Sequence, residues 1–401
     1  MPEKEITAKR FAYMMFAAFL CYLPMVMPLA ILSILAPRRW QMSNFLAGVA
    51  VGASFFATFI CRKWAGGLAD RIGGKRCFIR GCLGYLAGGA VCLGSAWEAP
   101  GVEFSFALLC LGRLILGFSE SLANVGMIHW CIGRLGLTRA GRMMAAHGMC
   151  IYATAAVGGW SGFTLYESAG FAALMGVGLL PPLGAAGIAL ASPDAAPPVE
   201  RRRQAGFREI LGIIFHLSLP AGLHAVGFAV LGAFLSKTFL DRGWDYASLA
   251  FTFCGLGFVC MRLILGHLPD RMGGLPVAAI SGCAEMAGLY LLCLAPEPVS
   301  ALVGAFLTGA GCSMVYPSLS LEVVRKAPTD LRGVCMSCYC ISMDMAYCFS
   351  SPAAGLIIDR LGGGDDHLAY LMAALAATLG QVLIWRLRRR IKTSRTARRP
   401  V

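Results

Sequence analysis

The sequence predicts an all-α integral membrane protein, with twelve transmembrane helices arranged as two pseudo-symmetric six-helix bundles. Three observations carry this. First, apolar residues make up 58% of the 401 residues and charged residues 14%, with a mean hydropathy of +0.68; a soluble domain carries about 25% charged residues. Second, apolar segments near 20 residues recur along the chain, each long enough to cross a ~30 Å hydrocarbon core. Lipid offers the backbone no hydrogen-bond partner, so such spans are helices and not open strands. Third, a segment occurs twice. Arg62 to Gly74 and Arg262 to Gly274 share Arg62/Arg262, Gly66/Gly266, Leu68/Leu268, Asp70/Asp270, Arg71/Arg271, Gly73/Gly273 and Gly74/Gly274, at an offset of half the chain. In so apolar a chain, a half-length repeat implies two similar bundles.

The spans are placed at 11–36, 43–65, 77–97, 103–129, 143–166, 169–191, 210–236, 246–268, 275–295, 299–324, 333–358 and 367–389. The first follows Lys9 and Arg10 and is too long for a signal-peptide core of about 7–15 residues. Pro24 and Pro28 interrupt it, and proline frees backbone groups and kinks a helix. The repeated segments join spans two and three, and spans eight and nine. Span four carries Arg113 and Glu120, span seven His224, span nine Glu285 and span eleven Asp344. Span ten ends in Glu322, Arg325 and Lys326. Between spans six and seven, Pro193, Pro197, Pro198 and Glu200-Arg201-Arg202-Arg203 mark a linker, with room for a short amphipathic surface helix. The domains are therefore a bundle over 1–192, a linker over 193–208, a bundle over 209–392 and a basic tail over 393–401.

A net charge of +14 raises the question of nucleic acid, and its distribution argues against it. Of 35 Lys and Arg, 29 fall in segments on the side of the termini; Arg38, Arg39, Lys237, Arg242 and Arg360 fall on the other, and Arg113 within a span. This asymmetry places both termini in the cytoplasm, with the basic residues from Arg386 to Arg399 near anionic headgroups. Seventeen cysteines lie almost all in apolar spans, where cysteine packs as a small apolar residue. Cys335, Cys338 and Cys340 have no adjacent His or carboxylate, so no metal is expected. No phosphate-cradling Walker loop occurs, which argues against ATP-driven transport by this chain.

The Gly66-xxx-Asp70-Arg71-x-Gly73 loop resembles the signature loop of the major facilitator superfamily, and Gly266 to Gly273 resembles its degenerate second copy. Arg113-xxx-Gly117 resembles the family's second motif, with Leu116 where Gln is usual. Gly158-Gly159-Trp160-Ser161-Gly162 resembles its antiporter motif in part, with Trp160 in place of proline. Ser351-Pro352-Ala353-Ala354-Gly355 resembles the corresponding piece of the second half. The stretches Arg113–Glu120 and Gly309–Ser313 are similar to a bacterial group described loosely as sugar-efflux-like or arabinose-like permeases. The resemblance covers the chain and implies a multi-pass protein of the bacterial cytoplasmic membrane, a monomer whose partners are the lipid bilayer and a small-molecule substrate.

The resemblance also implies a cytoplasmic gate. Asp70 would face the N-terminal end of helix eleven, where a carboxylate gains from the helix dipole, with Gly66 and Gly73 allowing tight packing. Asp270, stiffened by Pro269, would do the mirror task, joined by Arg71, Arg271 and Glu322. Ionisable residues inside spans are costly and usually functional. Arg113 and Glu120 are seven apart and share a helix face, about 10 Å apart along the axis; their pairing would set a proton-binding carboxylate beside a substrate-binding cation. His224 suits ligand contact, although a lone histidine on an apolar helix is more often a packed, satisfied one. Asp344 suits the cavity or the gate, and Glu285 a structural contact. Tyr22, Pro24, Pro28 and Tyr152 are expected along the cavity, with Trp130 at a membrane edge.

These features point to a secondary active transporter without cofactor, driven by a proton gradient and exporting a small organic molecule in exchange for protons. A sugar or organic-acid symporter or facilitator is the alternative. Gly159-Trp160-Ser161-Gly162 also spells an intramembrane serine protease motif, with His224 as the deep histidine, and a non-transport receptor is a further class to weigh.

Overall fold

The computed structural model describes residues 2–97, 101–136, 140–194, 206–328, 331–363 and 365–396. Helices α1 (Pro2–Val26), α2 (Leu29–Ile34), α3 (Asn44–Ile72), α4 (Gly74–Gly94), α5 (Val102–Leu135), α6 (Ala140–Val177) and α7 (Leu180–Ala191) form the first half. Helices α8 (Phe207–Asp241), α9 (Ala247–Leu265), α10 (Leu268–Met272), α11 (Gly274–Cys293), α12 (Pro298–Lys326), α13 (Arg332–Arg360) and α14 (His367–Thr396) form the second. The expected surface helix of the linker and the last residues of the tail fall largely outside the described residues.

Among the described residues, eleven stretches are long and apolar enough to cross a membrane. One of them, Ala146–Ala191, has 46 residues; at 1.5 Å per residue it would run about 69 Å, twice the hydrocarbon core. Gly170 breaks it, with φ 81° and ψ 179°, a conformation that favours glycine. This gives the twelve expected traverses, with the fifth ending three residues later than the sequence suggests. The first traverse breaks where its prolines predict: α1 stops at Val26, Pro28 caps α2, and a π-helical turn, Leu35–Arg39, ends it.

The repeat is visible in the backbone. Gly73 and Gly273 have φ of 85° and 89° with ψ of 152° and 155°, and each separates two helices at the same point of its half. The next residue, Gly74 or Gly274, lies against the backbone of the following long helix, at Trp130 and at Ser318. Along these helix pairs, Gly88 meets Gly112 and Gly288 meets Gly304. Small residues let membrane helices approach closely and gain dispersion energy where lipid provides no hydrophobic drive.

Twelve traverses put both termini on one face, the terminal side. The halves touch mainly through α3 against α13 and α6 against α9. These contacts concentrate toward the opposite side. There Gly48 lies against the Ser351 carbonyl, Gly52 against that of Cys348 and Gly355 against that of Asn44. Asp359 caps the start of α3, accepting from the backbone amides of Asn44 (3.0 Å) and Phe45 (2.8 Å). Arg38 pairs with Asp241 at 2.7 Å, and Thr252 Oγ1 donates to the Ala156 carbonyl at 3.0 Å. Toward the terminal side, Gly66, Gly67 and Gly333 face open space. The two bundles are thus closed on the opposite side and parted on the terminal side.

Candidate functional site

Where the halves meet near mid-depth, Arg62 of α3 binds Asp344 of α13. Arg62 Nε donates to Oδ2 at 2.7 Å and Nη2 to Oδ1 at 2.9 Å, the two-point geometry that suits guanidinium and carboxylate. The register explains the meeting. α3 and α13 run antiparallel with Gly48 beside Ser351 and Gly52 beside Cys348, so the Arg62 backbone lies nearer the terminal side than that of Asp344. Helical side chains lean toward their own N-terminus. Arg62 therefore leans to the membrane centre and Asp344 leans to meet it. The side chains are 12% and 9% exposed.

Glu120 of α5 belongs to the same centre. It interacts electrostatically with both Arg62 and Asp344. Its Oε1 accepts from the Tyr22 hydroxyl at 3.4 Å, while its buried Oε2 has no hydrogen-bond partner among the described residues. Aromatic rings complete the surroundings: Tyr152 stacks on Phe258 across the interface at 3.3 Å, Phe55 meets Tyr347 at 5.0 Å, and Tyr316 donates to or accepts from Cys340 at 2.8 Å. Four charged residues, counting Arg262 of α9, thus face a tyrosine-lined centre contributed by both halves.

Arg113 is placed differently from its expected pairing with Glu120. Both residues face α1, as their spacing predicts, but they reach Met25 and Tyr22 respectively and do not bond to each other. Arg113 is fully buried. Its guanidinium donates to the carbonyls of Ala50 (3.3 Å), Val51 (3.4 Å) and Met25 (3.2 Å) and to Ser54 Oγ (2.8 Å). The Met25 carbonyl lies in the last turn of α1, next to the proline break, where a cation complements the negative end of the helix dipole. Arg113 thus ties α1, α3 and α5 within one bundle. Pro24 and Pro28 border a small apolar crevice inside that bundle with Leu116, Leu174 and Met175.

In the second half His224 Nδ1 meets Glu285 Oε2 at 2.9 Å, with both side chains 1% exposed or less. Gly227, Gly282 and Gly380 leave room around the pair that a Cβ would fill, and Gln381 donates to the Ala279 carbonyl at 2.6 Å. Among the described residues, His224 Nε2, Glu285 Oε1 and Gln381 Oε1 are buried without hydrogen-bond partners. The cluster lies inside the second bundle. With Nδ1 committed to Glu285, His224 makes no hydrogen bond to Ser161, so the protease arrangement is not formed.

In the gate loops, Asp70 lies 3.5 Å from His129 of its own half. A Cβ at Gly66 would meet nothing within 4 Å, whereas Gly73 has a positive φ. Arg71, Asp270 and Arg271 are exposed, and Pro269 is buried at the start of α10. Glu322 Oε1 accepts from the Gly274 amide at 2.9 Å and from Arg325 at 3.2 Å, capping α11. Trp130 is buried and donates to the Pro193 carbonyl at 3.2 Å, an anchor for the start of the linker.

Sequence reasoning counted Arg62 and Arg262, at the ends of spans 43–65 and 246–268, with the charges of the terminal side; both side chains reach the centre. Their match in the repeat was the available signal. Tyr316 and Tyr347 gave none beyond their composition.

Residues 14–351 and 217–400 match the profile of the Major Facilitator Superfamily. An uncharacterised MFS-type transporter of Salmonella typhimurium is 35% identical over 368 residues, covering 92% of this chain and 94% of that protein. The uncharacterised MFS-type transporter YhhS of Escherichia coli K12 is 33% identical over 376 residues, covering 93% and 91%. Among solved structures, a D-xylose-proton symporter aligns with a TM-score of 0.78 at 15% identity, covering 94% of this chain and 96% of that one. The nucleoside transporter NupG aligns with a TM-score of 0.73 at 14% identity, covering 94% and 99%. At these identities the structural likeness shows the fold.

Proposed function

This chain belongs to the Major Facilitator Superfamily, and from that premise we propose that it is a proton-coupled secondary active transporter of the bacterial cytoplasmic membrane, exporting a small organic molecule by alternating access. Both termini are cytoplasmic on this reading, so the structure is its inward-open form. The observation that carries the proposal is the Arg62–Asp344 pair, with Glu120 beside it. It joins the two bodies that must move. A bond within one bundle survives their rocking; a bond between bundles biases one state over another.

A proton arriving at Asp344 neutralises the carboxylate and leaves Arg62 facing a neutral acid. Removing one partner of a buried ion pair costs about 3–5 kcal/mol. At 1.4 kcal/mol per factor of ten, that shifts a two-state equilibrium by roughly two to three and a half orders of magnitude. Glu120, with one oxygen unpaired, is placed to receive Arg62 when Asp344 releases it. Proton occupancy and bundle orientation are thereby linked through three side chains, without cofactor.

The test uses inverted membrane vesicles with an acid-inside gradient reported by a pH-sensitive dye. Sugars, organic acids, lipophilic cations and antibiotics are added in turn. One compound class is expected to collapse the gradient with wild type and not with Asp344→Asn or Glu120→Gln at matched expression. Labelled compounds that equilibrate without proton movement would overturn the coupling and favour a facilitator.

A further inference from the structure

Arg262 is the repeat mate of Arg62, and the two arginines differ in their counter-charge. α3 packs on α13, which supplies Asp344; α9 packs on α6, which has no Asp or Glu from Ala140 to Tyr166. Among the described residues Arg262 has no carboxylate partner. Nη2 donates to the Ser313 carbonyl at 3.0 Å, and this is its one hydrogen bond among those residues. Nη1 points at Gly148 of α6, where a Cβ would come within 2.5 Å of it. The guanidinium carbon sits 5.9 Å from the centre of the Tyr152 ring and 5.5 Å from that of Phe258.

A cation inside a membrane protein is costly unless paired. Contact with aromatic faces offsets part of that cost, and one carbonyl leaves most of the five guanidinium donors unused. Arg262 is partly exposed at the interface that opens and closes. We infer that Arg262 binds the transported molecule, and that this molecule is a small organic anion, its carboxylate on the guanidinium and its apolar body against Tyr152. The anion takes at Arg262 the place that Asp344 takes at Arg62. The inference rests on the alternating-access reading, but its test uses no proton gradient.

The full chain in lipid nanodiscs is titrated with benzoate, cyclohexanecarboxylate, benzamide and benzylamine while its thermal midpoint is followed. The two carboxylates are expected to raise the midpoint saturably, and the amide and amine to leave it unchanged. Arg262→Gln is expected to weaken carboxylate binding at least tenfold, about 1.4 kcal/mol, and Arg262→Lys by less. Gly148→Ala, which presses on Nη1, is expected to weaken binding while keeping the guanidinium, and covers the case in which Arg262→Gln fails to fold. Equal response to benzoate and benzamide, carboxylate affinity unchanged in the Arg262 variants, or no carboxylate response in wild type would each overturn the inference. Failure of proton coupling leaves this binding intact and shows only in the vesicles, so the two readings fail separately.

Discussion

Arg113 and Arg62 are two arginines set in apolar helices of the same bundle, and they are handled in opposite ways. Arg113 has its donors taken by carbonyls and a hydroxyl of its own half, and no surface. Arg62 reaches across to a carboxylate of the other half and keeps some exposure. The difference teaches where a buried charge serves folding and where it serves motion. Bonds inside a bundle move with it; a bond between bundles must be broken and remade in each cycle.

That comparison breaks if Arg113 can be removed cheaply. Arg113→Leu removes the four buried hydrogen bonds of the guanidinium, each with a charged donor and worth about 1.5–3 kcal/mol, so little folded protein is expected on size-exclusion chromatography. Arg113→Lys is expected to recover part of it, with wild-type transport per folded molecule. The next largest effect is on Asp344→Asn, which is expected to fold and to lose at least 99% of proton-coupled flux in the vesicles. The pair Arg62→Gln with Asp344→Asn is expected to regain thermal stability without regaining flux; recovery of both would make the pair structural, like Arg113.

Two smaller effects sharpen the contrast between the closed and parted sides. Gly48→Val drives a side chain into the Ser351 and Pro352 backbone and is expected to wedge the opposite side open. With the other cysteines replaced by serine, labelling of Cys348, now 7% exposed, should rise about fivefold or more, as expected for a population shift of about 1 kcal/mol. Asp359→Asn keeps a cap on α3 but loses its charge near the helix N-terminus, worth about 0.3–1 kcal/mol. A fall in thermal midpoint smaller than that of Arg113→Lys is expected.

The fold was legible because membrane spans are written locally, in runs of apolar residues, and because the repeat at Gly73 and Gly273 encodes the same helix break twice. Gly170 was missed by three residues because the polar Glu167 and Ser168, which lie between the expected spans, precede the break itself. The centre was legible in part. Asp344, Glu120, Tyr22 and Tyr152 stood out as ionisable or aromatic residues in apolar spans. Arg62 did not, since it lies near a span's end and only the lean of its side chain along α3 carries it inward. The Arg113–Glu120 pairing was expected from one helix face alone. The carbonyls that claim Arg113 belong to α1 and α3, and no spacing within α5 reveals them. His224 and Glu285 are 61 residues apart, and only the packing of α8 on α11 shows that they are partners.

The most direct test of the account reads both sides of the interface at once. Pulsed electron paramagnetic resonance would measure one pair of labels at Gly67→Cys and Gly333→Cys on the terminal side. A second pair would sit at Phe45→Cys and Leu356→Cys on the opposite side, in nanodiscs at pH 8 and pH 5. If the Arg62–Asp344 pair links protons to bundle orientation, acid and Asp344→Asn produce the same redistribution of both distances, and acid adds nothing in the variant. Distances unmoved by either, or an acid response that persists in Asp344→Asn, would contradict it.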